Sequence, residues 1–158
     1  SVRTDPVTRT STQRALQHAE QHCKDRGTRL TEKRRAVLAG LLESEKALSA
    51  YELIDHCRDH LGVDLLPMSV YRILQFLERE NLAHRLNLAS KYVACAHIAC
   101  DHDHAVPQFL ICKDCHRVEE VRLARPLVAS IAHTVESAGF HLTGRQLELD
   151  CVCDRCSS

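Results

Sequence analysis

The chain contains no tryptophan, three tyrosines, three phenylalanines and a single methionine. So few flat side chains weigh against recognition of single-stranded nucleic acid by serial base stacking. Net charge is lacking too: 21 Lys and Arg are matched by 21 Asp and Glu. That balance excludes a uniformly basic coat or an acidic tail, while leaving room for a local patch. The longest apolar stretch lies around Val37–Leu42 and falls far short of the roughly 20 residues of a bilayer-spanning helix. Residues 1–12 are polar and hold no apolar core of a secretion signal. The expected location is therefore the cytoplasm. Neither an internal repeat nor a low-complexity tract is found. A hydrophobic content of 44% with 27% charge, over 158 residues, describes one folded unit or two small ones.

What the chain does have is nine cysteines and eleven histidines. Nine is odd, so a closed disulfide framework leaves a thiol over, and a cytosolic chain keeps its thiols reduced. Seven of the cysteines lie between Cys95 and Cys156, and five histidines between His84 and His116. Thiols and imidazoles crowded into one half of a chain point to metal binding.

The first half reads as helical. Ala15, Leu16, Ala19 and Cys23 recur at helical spacing, and Gly27 ends that segment. Thr31 is the expected N-cap of a second helix carrying Val37, Leu38, Leu41 and Leu42. Ser49 and Glu52 form a capping box that opens a third helix, closed by Gly62. Pro67 suits the first turn of a fourth, whose buried stripe is Val70, Ile73, Leu74 and Leu77. Two short strands, 82–86 and 91–95, follow around a turn at 87–90. Helices followed by a hairpin give the order of a winged helix-turn-helix, in which the later helix enters the major groove. Met68, Ser69, Tyr71 and Arg72 begin that helix. Arg72 has the reach to contact guanine O6 and N7, and Ser69 suits phosphate. Residues 24–35 add a basic patch of net +4 that includes Arg29 and Arg34. Over residues 1–90 the net charge is +2 and over 91–158 it is −2.

The second half mixes strands with one helix. A hairpin is expected around Cys112–Cys115, with strands at 109–112 and 117–121. A helix starts at Pro126, with Leu127, Val128, Ile131, Val135 and Ala138 inward, and ends at Gly139. A half-buried strand follows at 145–151, with Leu147, Leu149 and Cys151 on one face. The fold class is α+β: an N-terminal winged helix-turn-helix at 1–96, then a small α/β domain at 97–158.

Cys112-x-x-Cys115 and Cys153-x-x-Cys156 carry the clearest chemistry. Two such pairs complete a closed tetrahedral zinc site of four thiolates with no open position. The pairs are 37 residues apart, so the ion would pin the last strand to the first hairpin. A redox pair is the competing reading of C-x-x-C. His84, Cys95, His97, Cys100, Asp101, His102, Asp103, His104, Glu119 and Glu120 offer mixed N, S and O donors from separated segments. Such a set describes a second zinc site that forms when the segments close. A zinc deaminase requires Pro before its C-x-x-C. Ile111 and Val152 stand there instead, although His18-Ala-Glu20 is present, and no enzyme activity is expected.

Taken together, Arg29-Leu-Thr31-x-x-Arg34, Ser49-Ala-Tyr-Glu-Leu53, Ser69-Val-Tyr-Arg72-Ile-Leu-x-Phe-Leu77 and Phe109-x-Ile-Cys112-x-x-Cys115-x-x-Val118 are similar to the ferric uptake regulator family. The resemblance covers about residues 12–156. Within the family it runs to the bacterial zinc uptake branch, because Cys95 stands where those sensors use a thiolate. It implies a homodimeric, zinc-responsive repressor that binds a palindromic operator in double-stranded DNA and represses zinc-uptake genes. The C-terminal domain of such a protein dimerises. Two zinc ions per monomer are implied. The structural one falls to Cys112, Cys115, Cys153 and Cys156. The regulatory one falls to His84, Cys95, His104 and Glu120, with His102 the rival of His104. Tyr51 and Arg72 match base-reading positions, and Tyr71, Ser69, Arg29 and Arg34 complete the expected DNA face. Leu127 and Arg145 stand near the ligand positions of the family's optional third site, so no third site is expected. The nearest alternatives are a sensor of iron, manganese or peroxide in the same family, and a zinc-stabilised interaction module that senses nothing.

Overall fold

Helix ends fall where the capping residues put them. The computed structural model describes residues 6–87, 89–96, 98, 107–143 and 146–157. Helix α1 spans Pro6–Asp25 and is closed by Gly27 at φ 76°, where the Thr28 amide donates back to the Cys23 carbonyl. Helix α2, Glu32–Leu42, is capped by the Thr31 hydroxyl, which accepts from the Arg34 amide at 3.3 Å. The capping box of α3, Ala50–Leu61, is complete in both directions, and Gly62 leaves it in a left-handed conformation at φ 63°. Helix α4, Pro67–Arg79, starts on proline, and Asn81 follows it at φ 58°. Removing the cap with Ser49→Ala is expected to cost about 1 kcal/mol, read as a fall in the thermal midpoint of this unit. An unchanged midpoint would show that α3 is held by packing alone.

The apolar stripes of these helices meet in one core. Leu16, Ala19 and Cys23 of α1 join Val37, Leu38 and Leu41 of α2, Leu53 and Cys57 of α3, and Val70, Leu74 and Leu77 of α4, all buried. Each large side chain so buried contributes about 1.5–3 kcal/mol. Strands β1, Ala83–Leu86, and β2, Lys91–Ala94, form an antiparallel wing in which His84 pairs with Val93 and Arg85 with Tyr92. Reciprocal backbone bonds between Leu48 and Tyr92 tie the wing to the segment before α3. The helix order and wing are those of a winged helix-turn-helix.

The chain divides into two compact units, Ser1–His102 and Asp103–Ser158. In the second, β3, Gln108–Cys112, runs antiparallel to β4, Val118–Val121, and parallel to β5, Leu147–Cys151, giving the order β4-β3-β5. Helix α5, Arg125–Ser137, lies in the crossover between the parallel strands, and the short α6, Asp154–Ser157, ends the unit. The buried Gln108 side chain accepts from the Leu147 amide at 2.8 Å, which pins the start of β5. Among the described residues of this unit only Gln108, Phe109 and Cys112 are buried. Here the structure departs from the sequence pattern. No residue of α5 is buried, Leu127 is 49% exposed, and Leu149 of β5 is 48% exposed. The periodicity correctly marks an apolar face; the folded chain does not cover it.

Candidate metal and nucleic-acid sites

Four sulfurs converge at one end of the three-stranded sheet. Cys112 ends β3, Cys115 sits in the turn before β4, Cys153 follows β5 and Cys156 lies on α6. All four Sγ atoms lie within 4.8 Å of one another. The Cys115 and Cys153 sulfurs are 3.7 Å apart. Tetrahedral Zn–S bonds of about 2.3 Å put ligand sulfurs about 3.8 Å apart, so the donor set and its spacing fit zinc. The backbone is arranged around this cluster. His116, at φ 64°, turns the chain so that its amide donates to the Cys112 carbonyl, and the Lys113 amide donates to the Cys151 carbonyl.

Amides also set the charge of the sulfurs. Backbone N–H groups of Cys115 and then Cys153 stabilise the Cys112 thiolate and draw its pKa down to about 6. With that charge in place Cys156 is pushed up to about 12, first by its hydrogen bond with Cys153 and then by desolvation. The cluster thus holds negative charge that a divalent cation would neutralise. Cys23 and Cys57 behave oppositely. Burial raises both, Cys57 to about 11, and its thiol donates to the Ala36 carbonyl. These two are core side chains, not ligands. Cys151 is half-buried on β5, its thiol directed at the Leu149 carbonyl at 3.6 Å.

The second group of expected ligands is distributed over both units. In the first unit, His84 lies on β1 and Cys95 just beyond β2, its amide bonded to the Leu82 carbonyl. Their ligand atoms lie within 4.8 Å of each other. Cys95 is buried and His84 half-buried. In the second unit, Glu120 is half-buried on β4, opposite Phe109. His102 and His104, with His97, Cys100, Asp101 and Asp103, lie outside the described residues, as does Arg145.

The expected DNA face divides sharply. Tyr51 opens α3 at 63% exposure, and Tyr71 and Arg72 are exposed on α4 next to half-buried Ser69. Leu66, at the N-cap of α4, offers no side-chain acceptor to the first-turn amides. Lys91 of the wing pairs with Glu52 at 3.1 Å, beside Tyr51. Partial burial favours protonation of Glu52, but the Ser49 amide and Lys91 outweigh it and lower its pKa. The basic patch is different. Arg26 pairs with buried Glu80 at 2.8 Å, and Lys24 and Arg35 both approach Glu20. Arg34 stacks over the Phe76 ring at 3.7 Å and donates to the Arg29 carbonyl at 2.7 Å. Arg29 itself is exposed, with no ion pair among the described residues. Sequence reasoning assigns no such role to Glu20, Glu80 or Phe76. Lys24 and Glu20 stand four apart on α1, a locally legible pair, whereas the contacts of Arg35 with Glu20, Arg26 with Glu80 and Arg34 with Phe76 are fixed only by helix packing.

The comparisons with known proteins agree with this geometry. The model of the ferric uptake regulator family matches residues 25–150. The zinc uptake regulation protein of Escherichia coli (strain K12) is 34% identical over 149 residues, covering 94% of this chain and 84% of that protein. A zinc uptake regulator solved in complex with zinc and DNA superposes with a TM-score of 0.79 at 30% identity, over 92% of this chain and 95% of that one. Holo XcZur superposes with a TM-score of 0.73 at 33% identity, over 90% and 96%. With its helices, wing and C-terminal sheet in the order that such proteins share, the chain belongs to the ferric uptake regulator family.

Proposed function

We propose that this protein is a zinc-responsive transcriptional repressor of the cytoplasm that, as a zinc-loaded homodimer, binds a palindromic operator and represses zinc-uptake genes. Residues 1–96 serve as the DNA-binding domain and 97–158 as the dimerisation domain. Cys112, Cys115, Cys153 and Cys156 hold a structural zinc. His84, Cys95 and Glu120, joined by His104 or His102, hold a regulatory one. The uncovered apolar residues of the second unit, among them Leu127, Phe140 and Leu149, suit burial against a second copy.

The observation that carries the reading is the meeting of His84 and Cys95 at the base of the wing. A thiolate and an imidazole favour zinc over the harder-liganded iron and manganese. The same wing reaches Glu52 through Lys91, and Glu52 is the residue after Tyr51. An ion held by His84 and Cys95 at the wing therefore acts on the element that positions the reading face. Bound zinc supplies two positive charges and four coordination positions. The protein supplies the donors.

Zinc counted per monomer, together with duplex binding with and without chelator, tests the proposal. Two ions are expected, one removed readily and one retained. A single retained ion with zinc-independent duplex binding would leave only a zinc-stabilised module. The two arginines should separate in the same assay. Arg72→Ala is expected to weaken duplex binding by about 1–3 kcal/mol with little change in melting. Arg34→Ala is expected to cost about 1–2 kcal/mol of stability through the lost ring contact and hydrogen bond, with a much smaller effect on affinity. The reverse pattern would return Arg34 to the DNA contact and remove Arg72.

A further inference from the structure

Among the described residues of the first unit, the exposed large hydrophobic side chains are Tyr51, Leu66, Met68 and Tyr71. All four lie at the starts of α3 and α4. Two of them have no polar atom to offer. Leu66 is 73% exposed and Met68, the only methionine of the chain, is 66% exposed. Leu66 also occupies the N-cap of α4, where Ser, Thr, Asp or Asn is preferred for its acceptor oxygen. A residue that breaks a local rule with no gain inside the fold points to a gain outside it.

The neighbours identify the occupant. Met68 and Arg72 are four residues apart on α4 and share its exposed face. Ser69 and the uncapped first-turn amides flank them. A surface that sets a cation and free N–H donors beside an apolar pad fits a partner that is anionic, rich in acceptors and dotted with methyl groups. The major groove of duplex DNA is such a surface, and its one apolar group is the 5-methyl of thymine.

We propose that Leu66 and Met68 form an apolar pad that seats thymine 5-methyl groups, so that each half-site carries a thymine close to the guanine met by Arg72. Four helical residues span about 6 Å, and successive bases of one strand are about 3.4 Å apart. The thymine therefore falls within about two base steps of that guanine. This rests on the DNA-binding reading and adds to it which base is recognised and by which side chains.

The probe is a duplex enriched from a randomised library by the full, zinc-loaded chain. Each dT is then replaced singly by dU, which deletes one methyl group and no hydrogen bond. At one or more dT per half-site, near a dG, affinity should fall about fourfold, the worth of one buried methyl-sized group. In Leu66→Ala or Met68→Ala that penalty should collapse toward unity while the dependence of binding on salt is unchanged, since no charge is altered. A side chain that merely supported the helix would weaken all duplexes alike and leave the dU penalty intact. A flat dU scan on an enriched duplex, or a penalty of the same size in both variants, overturns the pad alone. Failure to enrich any duplex overturns the DNA-binding reading and the pad with it.

Discussion

Replacing Cys112 with serine is expected to abolish cooperative folding of the second unit. Among the described residues that unit buries little beyond Phe109, Gln108 and Cys112 itself. Its strands β3 and β5 are parallel, and parallel strands need a crossover whose closure costs entropy before any contact forms. Structural zinc in small domains contributes about 10–16 kcal/mol, which matches or exceeds the whole stability of a typical domain, about 5–15 kcal/mol. Cys112 sits where the sheet and the cluster join. It ends β3, it pairs in register with Cys151, and its Sγ lies 3.4 Å from the Cys153 amide. Calorimetry should show the second transition of the parent lost in Cys112→Ser, and a strong chelator should produce the same loss in the parent. A variant that melts within a few degrees of the parent, under either zinc condition, would remove the structural role from the cluster.

His84→Ala and Cys95→Ala are expected to act on function and leave the fold standing. If the regulatory ion binds the DNA-competent state of the dimer better than the other state, DNA raises zinc affinity by the same factor by which zinc raises DNA affinity. A coupling of about 3 kcal/mol amounts to about 150-fold. In the parent, duplex affinity should rise with free zinc by a factor of that order. In either variant it should stay at the zinc-free level, because the ion no longer distinguishes the two states. Both variants should retain one tightly held zinc and the parent's melting of the second unit, since neither residue belongs to the four-sulfur cluster. Anisotropy titrations at buffered zinc read the effect directly. A variant that folds and still gains affinity with zinc as the parent does would exclude its residue as a regulatory ligand.

These variants thus separate the two proposed ions. One would hold a weak sheet together, and the other would be useful only because it can leave. A permanently filled regulatory site would carry no information about zinc, and a readily emptied structural site would unfold the unit that carries the apolar face proposed for dimerisation.

How much of this was legible beforehand depended on the range of the interaction involved. Thr31, Ser49 with Glu52, Gly62 and Pro67 mark helix ends in the sequence and mark the same ends in the structure. Each acts within one turn of backbone, so neighbours along the chain suffice. The two C-x-x-C pairs were equally legible, since a tight turn brings each pair of sulfurs together and a tetrahedral ion needs two such pairs. Tertiary packing decided the rest. It stacked Arg34 on Phe76, 42 positions away in the chain, and set Arg26 against Glu80, committing part of an apparent basic patch to partners within the fold. It left the apolar face of α5 uncovered where periodicity called for burial. The physical reason is the same in each case: capping and ligand spacing are set by covalent geometry over a few residues, whereas charge pairing and burial depend on which surfaces the folded chain brings together.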